Sequence, residues 1–268
     1  MKRAVCIIAT LVVLVASVSA TDRFYADCKG QSPNAKYEAE AKSPANQNEG
    51  WKTPFQKDFT IRFRDTKSSQ TLWTWKQGEK DASPIELIPT DDGYLVMSDA
   101  WDDYYVFDAN GVKTKTLDVL RSLPESEMEK FTDTTTAGIH WRQYSQQGFL
   151  TDRKKYFYIR LYWGRTFILD VHDAKLETDA EVAKRVEQQV LRQTKDLIET
   201  FNGEYYSNCR FCQGRHLRPD LTEGVFVIKK HGLPEGKKIL KEVLKRTDDN
   251  RNNDLKRYLD RVKTKRNP

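Results

Sequence analysis

The stretch Tyr156-Phe157-Tyr158-Ile159-Arg160-Leu161-Tyr162-Trp163-Gly164-Arg165-Thr166-Phe167-Ile168-Leu169-Asp170-Val171 decides the fold class. Two runs rich in aromatic and β-branched residues flank Gly164-Arg165, which reads as a two-residue hairpin loop with glycine first, the preference of a type II′ turn. Successive strand residues point to opposite faces. Phe157, Ile159, Leu161 and Trp163 therefore fall on one side, and Tyr156, Tyr158, Arg160 and Tyr162 on the other. The first set is the natural core face. The second has two readings: tyrosines spaced about 6.8 Å apart can stack on a sugar or a partner, or a helix expected near 178–201 covers them.

Working back from this hairpin, the period of 2 recurs. Phe59, Ile61 and Phe63 alternate with polar residues, as do Thr71, Trp73 and Trp75. Short apolar runs follow at 85–88, 94–98 and 104–108, and Asp108-Ala109-Asn110-Gly111 is a tight-turn signal before a further strand at 112–119. A short helix is expected within 120–131 and a strand from 139. Residues 21–56, with Pro33, Pro44 and Pro54, read as an extended lead-in. Roughly eight strands between 57 and 176 amount to about two four-stranded blades, too few to close a propeller. The expectation is an antiparallel β-sandwich or curled meander sheet.

Beyond 176 the period changes to 3.6. Val182, Val186, Val190, Leu197 and Phe201 mark one face of a long helix that Gly203 can stop. Pro234 opens a second helix with Ile239, Leu240, Val243 and Leu244 inward, and a last one carries Leu255, Tyr258, Leu259 and Val262. The whole is an α+β chain: an antiparallel β domain at 57–176, then a helical region at 177–268.

Three phrases carry a resemblance: Tyr37-Glu38-Ala39-Glu40-Ala41-Lys42-Ser43-Pro44, Thr135-Thr136-Ala137-Gly138-Ile139-His140-Trp141, and Tyr162-Trp163-Gly164-Arg165-Thr166-Phe167-Ile168-Leu169-Asp170. They resemble phrases recurring in a group of uncharacterised exported bacterial proteins with a β-meander domain. The resemblance spans about residues 35–176 and implies no activity and no catalytic residues.

The first twenty residues read as a secretory signal. Lys2 and Arg3 precede an apolar run from Ala4 to Ala16, and Val18-Ser19-Ala20 offers small residues for cleavage. A run of about 13 residues is short for a membrane span, which needs roughly 20, so an uncleaved anchor is the lesser reading and no transmembrane segment is expected after cleavage. Export to the periplasm or the extracellular space is the expectation. Net charge is +6 over the whole chain. From Val225 to Pro268 there are 14 Lys and Arg against 6 Asp and Glu, so the basic balance sits in the tail. Lys237, Lys238, Lys241, Lys245, Arg257 and Arg261 are its candidate contacts to an anionic envelope surface or a protein partner. The alternative is a solvated helical face, and nucleic acid is not an expected partner of an exported chain.

The chain lacks the G-x-x-x-x-G-K-[ST] phosphate loop, the G-x-G-x-x-G fingerprint, the G-x-S-x-G elbow and the H-E-x-x-H metal helix. Its histidines, His140, His172, His216 and His231, leave a dispersed triad open but select no nucleophile. Cys28, Cys209 and Cys212 remain after signal removal, an odd number for an oxidising compartment. Gln213 after Cys212 excludes a c-type haem motif, and no βαβ pattern surrounds the pair as in thioredoxin-like folds. A structural disulfide is the first reading. The second is a zinc site of Cys209, Cys212 and His216 with Cys28 as fourth ligand. Asp91, Asp92, Asp99, Asp102 and Asp103 suit calcium only if their loops converge, and turn chemistry explains them more simply. The expected function is a non-enzymatic exported binding or scaffold protein without a cofactor. The alternative is a metal-binding or thiol-redox protein centred on Cys209, Cys212 and His216.

Overall fold

The computed structural model describes residues 27–42, 59–76, 84–99, 103–135, 138–140, 144–208, 215–249 and 253–264. Its elements are β1 (Cys28–Gln31), β2 (Tyr37–Lys42), β3 (Thr60–Asp65), β4 (Thr71–Lys76), β5 (Pro84–Pro89), β6 (Leu95–Asp99), β7 (Asp103–Phe107) and β8 (Lys113–Asp118), then α1 (Glu125–Phe131). There follow β9 (Asp133–Thr135), β10 (Gly138–His140), β11 (Gln146–Phe149), β12 (Tyr156–Arg160), β13 (Thr166–Asp170), β14 (Lys175–Leu176) and α2 (Ala180–Thr200). The chain continues through β15 (Tyr206–Asn208), β16 (Arg215–Leu217), α3 (Pro219–His231), α4 (Lys237–Asp249) and α5 (Asn253–Arg261).

The fold is α+β, with three four-stranded antiparallel meanders and the helices in the C-terminal half. The sheets run β1-β2-β3-β4, β5-β6-β7-β8 and β11-β12-β13-β14, so residues 57–176 do not form one sheet system. Nor is the lead-in only a lead-in. β1 and β2 lie within residues 21–56 and pair onto β3, Ala39 opposite Phe63 and Ala41 opposite Ile61. Glycine- and serine-containing sequence masked an alternation that only pairing completes.

Sheets stack through shared cores because their central strands are apolar on both faces. Leu95, Met97, Tyr105 and Phe107 pack with Ile61, Phe63 and Trp73 of the first sheet. The alternate residues Val96, Tyr104 and Val106 pack with Phe157, Ile159, Phe167 and Leu169 of the third. The third sheet's outer face, with Tyr156, Tyr158 and Ile168, is closed by Val182, Val186 and Val190 of α2 and Val227 of α3. A fourth core joins α3, α4 and α5 through Phe226, Ile239, Val243, Leu255, Tyr258 and Leu259. Val225-Phe226-Val227-Ile228 reads locally like a strand. It is helical because α3 is central and buried nearly all round, opened by Pro219 in its first turn and closed by Gly232 in the left-handed conformation (φ 64°). Among the described residues no helix is long and apolar enough to cross a membrane.

The first and second sheets approach closely at Gly30, where an added Cβ would lie 1.7 Å from the Leu87 carbonyl oxygen. Backbone cannot yield as a side chain can. Gly30→Ala is therefore expected to cost about 1 to 3 kcal/mol, seen as a lower urea midpoint. An unchanged midpoint would mean that the two sheets do not meet at β1 and β5.

The hairpin turn departs from the type II′ expectation. Arg160 pairs with Thr166, Gly164 N donates to Leu161 O at 2.7 Å, and Gly164 has φ 98°. The loop is the three residues Tyr162-Trp163-Gly164, the form that a type I turn with a glycine bulge takes. Tyr162 thereby leaves the strand and enters the helical core beside Phe226 and Tyr258. Trp163 Nε1 and Arg165 Nε both donate to Glu127, and Phe131 stacks on Trp163 at 5.0 Å, so α1 is clamped to the hairpin tip.

Candidate functional site

A cleft of about 470 Å³ opens where the β11 edge of the third sheet meets the second sheet, α2 and α3. Its walls are polar. Glu86, Tyr104, Gln146, Gln147, Tyr158 and Glu223 line it, together with Ser145 and Gln193 and, among the described residues, without any Lys or Arg. The strand period explains much of this. On β5, Leu87 faces the first sheet, so its neighbour Glu86 faces the third, and a register shift between Pro84 and Glu86 sets where the side chain emerges. On β11, Gln147 lies opposite the inward Ile159, whereas Gln146 lies opposite Arg160 on the helix side.

One wall is held by a hydrogen-bond chain. The Tyr104 hydroxyl donates to Gln147 Oε1 at 2.5 Å, and Gln147 Nε2 donates to Glu86. Opposite it two polar groups lack partners. Gln146 Oε1 is buried without a hydrogen bond, and the half-buried Glu223 has no hydrogen-bond or ion-pair partner among the described residues. Burial pushes the Glu223 carboxyl up to about 7, and the negative charges of Asp220 and Glu86 add to the effect. Tyr158 is also raised, mainly by burial, with a hydrogen bond to Gln189 opposing. The cleft therefore presents an excess of acceptors.

The aromatic face anticipated for binding lies elsewhere. Tyr156, Tyr158 and Arg160 are 6%, 3% and 1% exposed beneath α2, and Tyr162 is in the helical core. The covering-helix reading holds, and as an open binding face these four residues are corrected. Only Tyr158 reaches the cleft. Arg160 instead donates to Glu187 of α2 at 2.9 Å through Nε, and Lys230 and His231 of α3 approach the same carboxylate at 3.6 and 3.4 Å. Burial opposes ionisation of Glu187, but the approach of His231, the hydrogen bond from Arg160 and the charges of Arg160 and Lys230 outweigh it. Its carboxyl is held well below the ordinary range.

Cys209 and Cys212 lie outside the described residues, and of His216 only the backbone is described, in β16 opposite Ser207. Cys28 has a free thiol whose Sγ donates to Pro84 O at 3.8 Å. Burial and the charges of Asp27 and Glu86 push it up to about 12, so it is a poor nucleophile and a reluctant metal ligand near neutral pH. The acidic set disperses into turn chemistry. Asp91 accepts from Asn34 N and Lys154, Asp92 from Thr90 and His172, and Asp99 from Asp103 N and the Tyr105 hydroxyl, while Asp102 lies outside the described residues. Among the described residues no three His, Cys, Asp or Glu side chains converge as a metal site would require.

The basic tail divides in two. Arg257 and Arg261 both donate to Asp133, at 2.8 and 2.7 Å, and so tie α5 to β9, with the Arg257 side chain still 52% exposed. Lys237, Lys238, Lys241 and Lys245 are exposed on α4.

Sequence reading missed Glu86, Gln146, Gln147 and Glu223 because they come from three elements far apart in the chain and share no spacing. One signal was available. Glu223 is an acidic residue set among Leu221, Thr222, Gly224 and Val225, all buried, and a carboxylate so placed invites a question about its partner.

No family model and no curated protein matches this chain. Solved structures with partial likeness include Kuenenia stuttgartiensis hydrazine synthase, with 14% identity, TM-score 0.30 and coverage of 59% of this chain and 44% of that one. Another is a fragment of HIRA, with 9% identity, TM-score 0.27 and coverage of 65% and 69%. The chain thus spans under half the length of the hydrazine synthase chain. At these TM-scores neither likeness carries an argument about fold or function.

Proposed function

We propose that the protein is an exported binding protein of the cell envelope or extracellular space, non-catalytic, whose cleft between β11, α2 and α3 seats a small amine. The observation that carries this reading is the Glu223 carboxyl, which has no partner and no basic side chain beside it in the cleft among the described residues. An ammonium group brings three donors and no acceptor, which suits Glu223 together with the unpaired Gln146 Oε1. A neutral hydroxyl would leave the carboxylate charge uncompensated, and an anion would be repelled by both glutamates. Tyr104 and Gln147 keep Glu86 oriented, which limits the ordering that a ligand must bring about.

Protons compete with such a ligand. With Glu223 near 7 in the free protein, the ionised fraction falls about tenfold between pH 8 and pH 6, and amine affinity should fall with it. Calorimetric titration of the folded protein with glucosamine, spermidine and glucose at both pH values tests this. Binding of at least one amine, weaker at the lower pH and lost in Glu223→Gln, is expected. Stability supplies a second readout. A carboxyl raised on folding loses stability as pH rises from the ordinary glutamate range to about 7, so Glu223→Gln should be more stable than the parent at pH 8 and closer to it at pH 5. Equal binding of glucose and the amines, or amine binding unchanged in Glu223→Gln, would overturn the reading.

A further inference from the structure

The exposed face of α4 is electrostatically unfavourable as it stands. Lys237, Lys238, Lys241 and Lys245 all lie within an arc of about 100° at the helical repeat of 3.6 residues per turn. Opposite them Ile239 and Val243 are 5% and 0% exposed in the helical core, so the orientation of the stripe is set by packing. Gly236 against Ile228 fixes the entry to the helix, because a Cβ there would meet Ile228 side-chain carbons at 2.7 Å.

A solvated helix face ordinarily relieves its charges with opposite ones three or four residues away. Here Lys237, Lys241 and Lys245 follow one another at intervals of four, where like charges destabilise a helix. The four lysines have no ion-pair partner among the described residues; Glu242 lies four positions after Lys238 and three before Lys245, whereas Lys237 and Lys241 have no acidic residue three or four positions away. The helix dipole adds a second conflict. The first turn of α4 holds Lys237 and Lys238 and no acidic residue, so two cations sit at the positive end of the helix. An anionic surface laid along this face would relieve both conflicts. Arg257 and Arg261 differ in that both pair with Asp133, which offsets one of their two charges.

From this face we infer that the Lys237, Lys238, Lys241 and Lys245 stripe of α4 docks the protein on a bilayer surface carrying anionic phospholipid. A bilayer presents its charges as a plane, and four lysines on one helical arc meet a plane together. The attraction is a contact effect, since the Debye length is about 8 Å at physiological salt and about 3 Å at 1 M. Each lysine at such a surface contributes about a fivefold gain in partitioning.

The test is co-sedimentation of the protein with vesicles of phosphatidylcholine alone and of phosphatidylcholine with 30% phosphatidylglycerol, at low and high salt. Binding to the anionic vesicles at low salt, lost at high salt and absent with neutral vesicles, is expected. The triple change Lys237→Glu, Lys241→Glu and Lys245→Glu should reduce partitioning by more than a hundredfold. The exposed pair Lys184→Glu and Lys195→Glu on α2 should reduce it far less. A Lys→Gln set at the same three positions, expected to lower binding by about two orders of magnitude, serves if the glutamate set does not fold. The docking site is overturned by absence of binding to anionic vesicles, by equal loss from the α2 pair, or by unchanged binding of either α4 set. Binding of soluble polyphosphate without vesicle binding would assign the stripe to an acidic polymer and overturn the bilayer.

Discussion

Phe157→Ala is expected to destabilise the protein by about 3 to 5 kcal/mol. Phe157 is fully buried on β12, edge-on to Phe149 at 5.2 Å and tilted against Tyr104 at 6.0 Å, in the core shared by the second and third sheets. Two costs combine, the lost transfer of the ring from water and the cavity left behind. The cavity cannot close easily, because β12 is pressed from its other face by Val182, Val186 and Val190 of α2. A shift of β12 toward the second sheet would pull Tyr156 and Tyr158 out of their own core. In urea the midpoint should fall with the slope unchanged. Phe157→Leu should cost clearly less, since most of the volume is kept. A loss under about 1 kcal/mol for the alanine change would put the strand register one residue out.

Removing the Glu187 charge should cost nearly as much. Arg160 is 1% exposed, and Glu187→Gln leaves its guanidinium buried with no carboxylate while Lys230 and His231 still converge on the same place. Breaking a buried pair from one side typically costs 3 to 5 kcal/mol; since the Glu187 side chain keeps 30% exposure, the expectation is about 3 kcal/mol. The pH dependence has a definite sign. The Glu187 carboxyl is held below its ordinary value, so its contribution is complete above the unfolded value of about 4.3 and is lost as pH falls below it. Parent and Glu187→Gln should therefore differ by a constant amount from pH 5 to pH 7 and converge in more acidic solution. Arg160→Met with Glu187→Leu removes both charges and should recover most of the loss. If the double variant is no more stable than Glu187→Gln, the two side chains do not act as a pair.

Much of the architecture was legible because it rests on local rules. The alternation of Phe157, Ile159 and Leu161 places them inside, at 0%, 1% and 0% exposure. The turn at Asp108 forms as its residues suggest, with Asp108 Oδ1 accepting from Asn110 N and Val112 N and Gly111 at φ 80°. The valines at 182, 186 and 190 all face the third sheet. The turn at Gly164 shows where local reading fails. The same glycine serves a two-residue loop or a bulge, and what distinguishes them is the seat that Tyr162 finds against Phe226 and Tyr258, residues more than sixty positions away.

The sequence by itself determined most of the strands and helices beyond residue 57 and which of their faces seek cover, because a side chain's direction follows from a period of 2 or 3.6 within a few residues. The strands β1 and β2 and the helical state of residues 225–228 were settled only by pairing and packing. What covers each face was decided only by the tertiary structure. Tyr156, Tyr158 and Arg160 look like an open polar face on the strand, yet the length of α2 and the matching carboxylate of Glu187 bury them. Glu86 and Glu223 acquire a cleft only when β5 and α3, 137 positions apart, are brought together. Arg257 and Arg261 share Asp133, which the chain places over a hundred residues earlier. Burial and Coulomb energy depend on distance in space, and for residues so far apart in the chain that distance is set by packing of the cores between them.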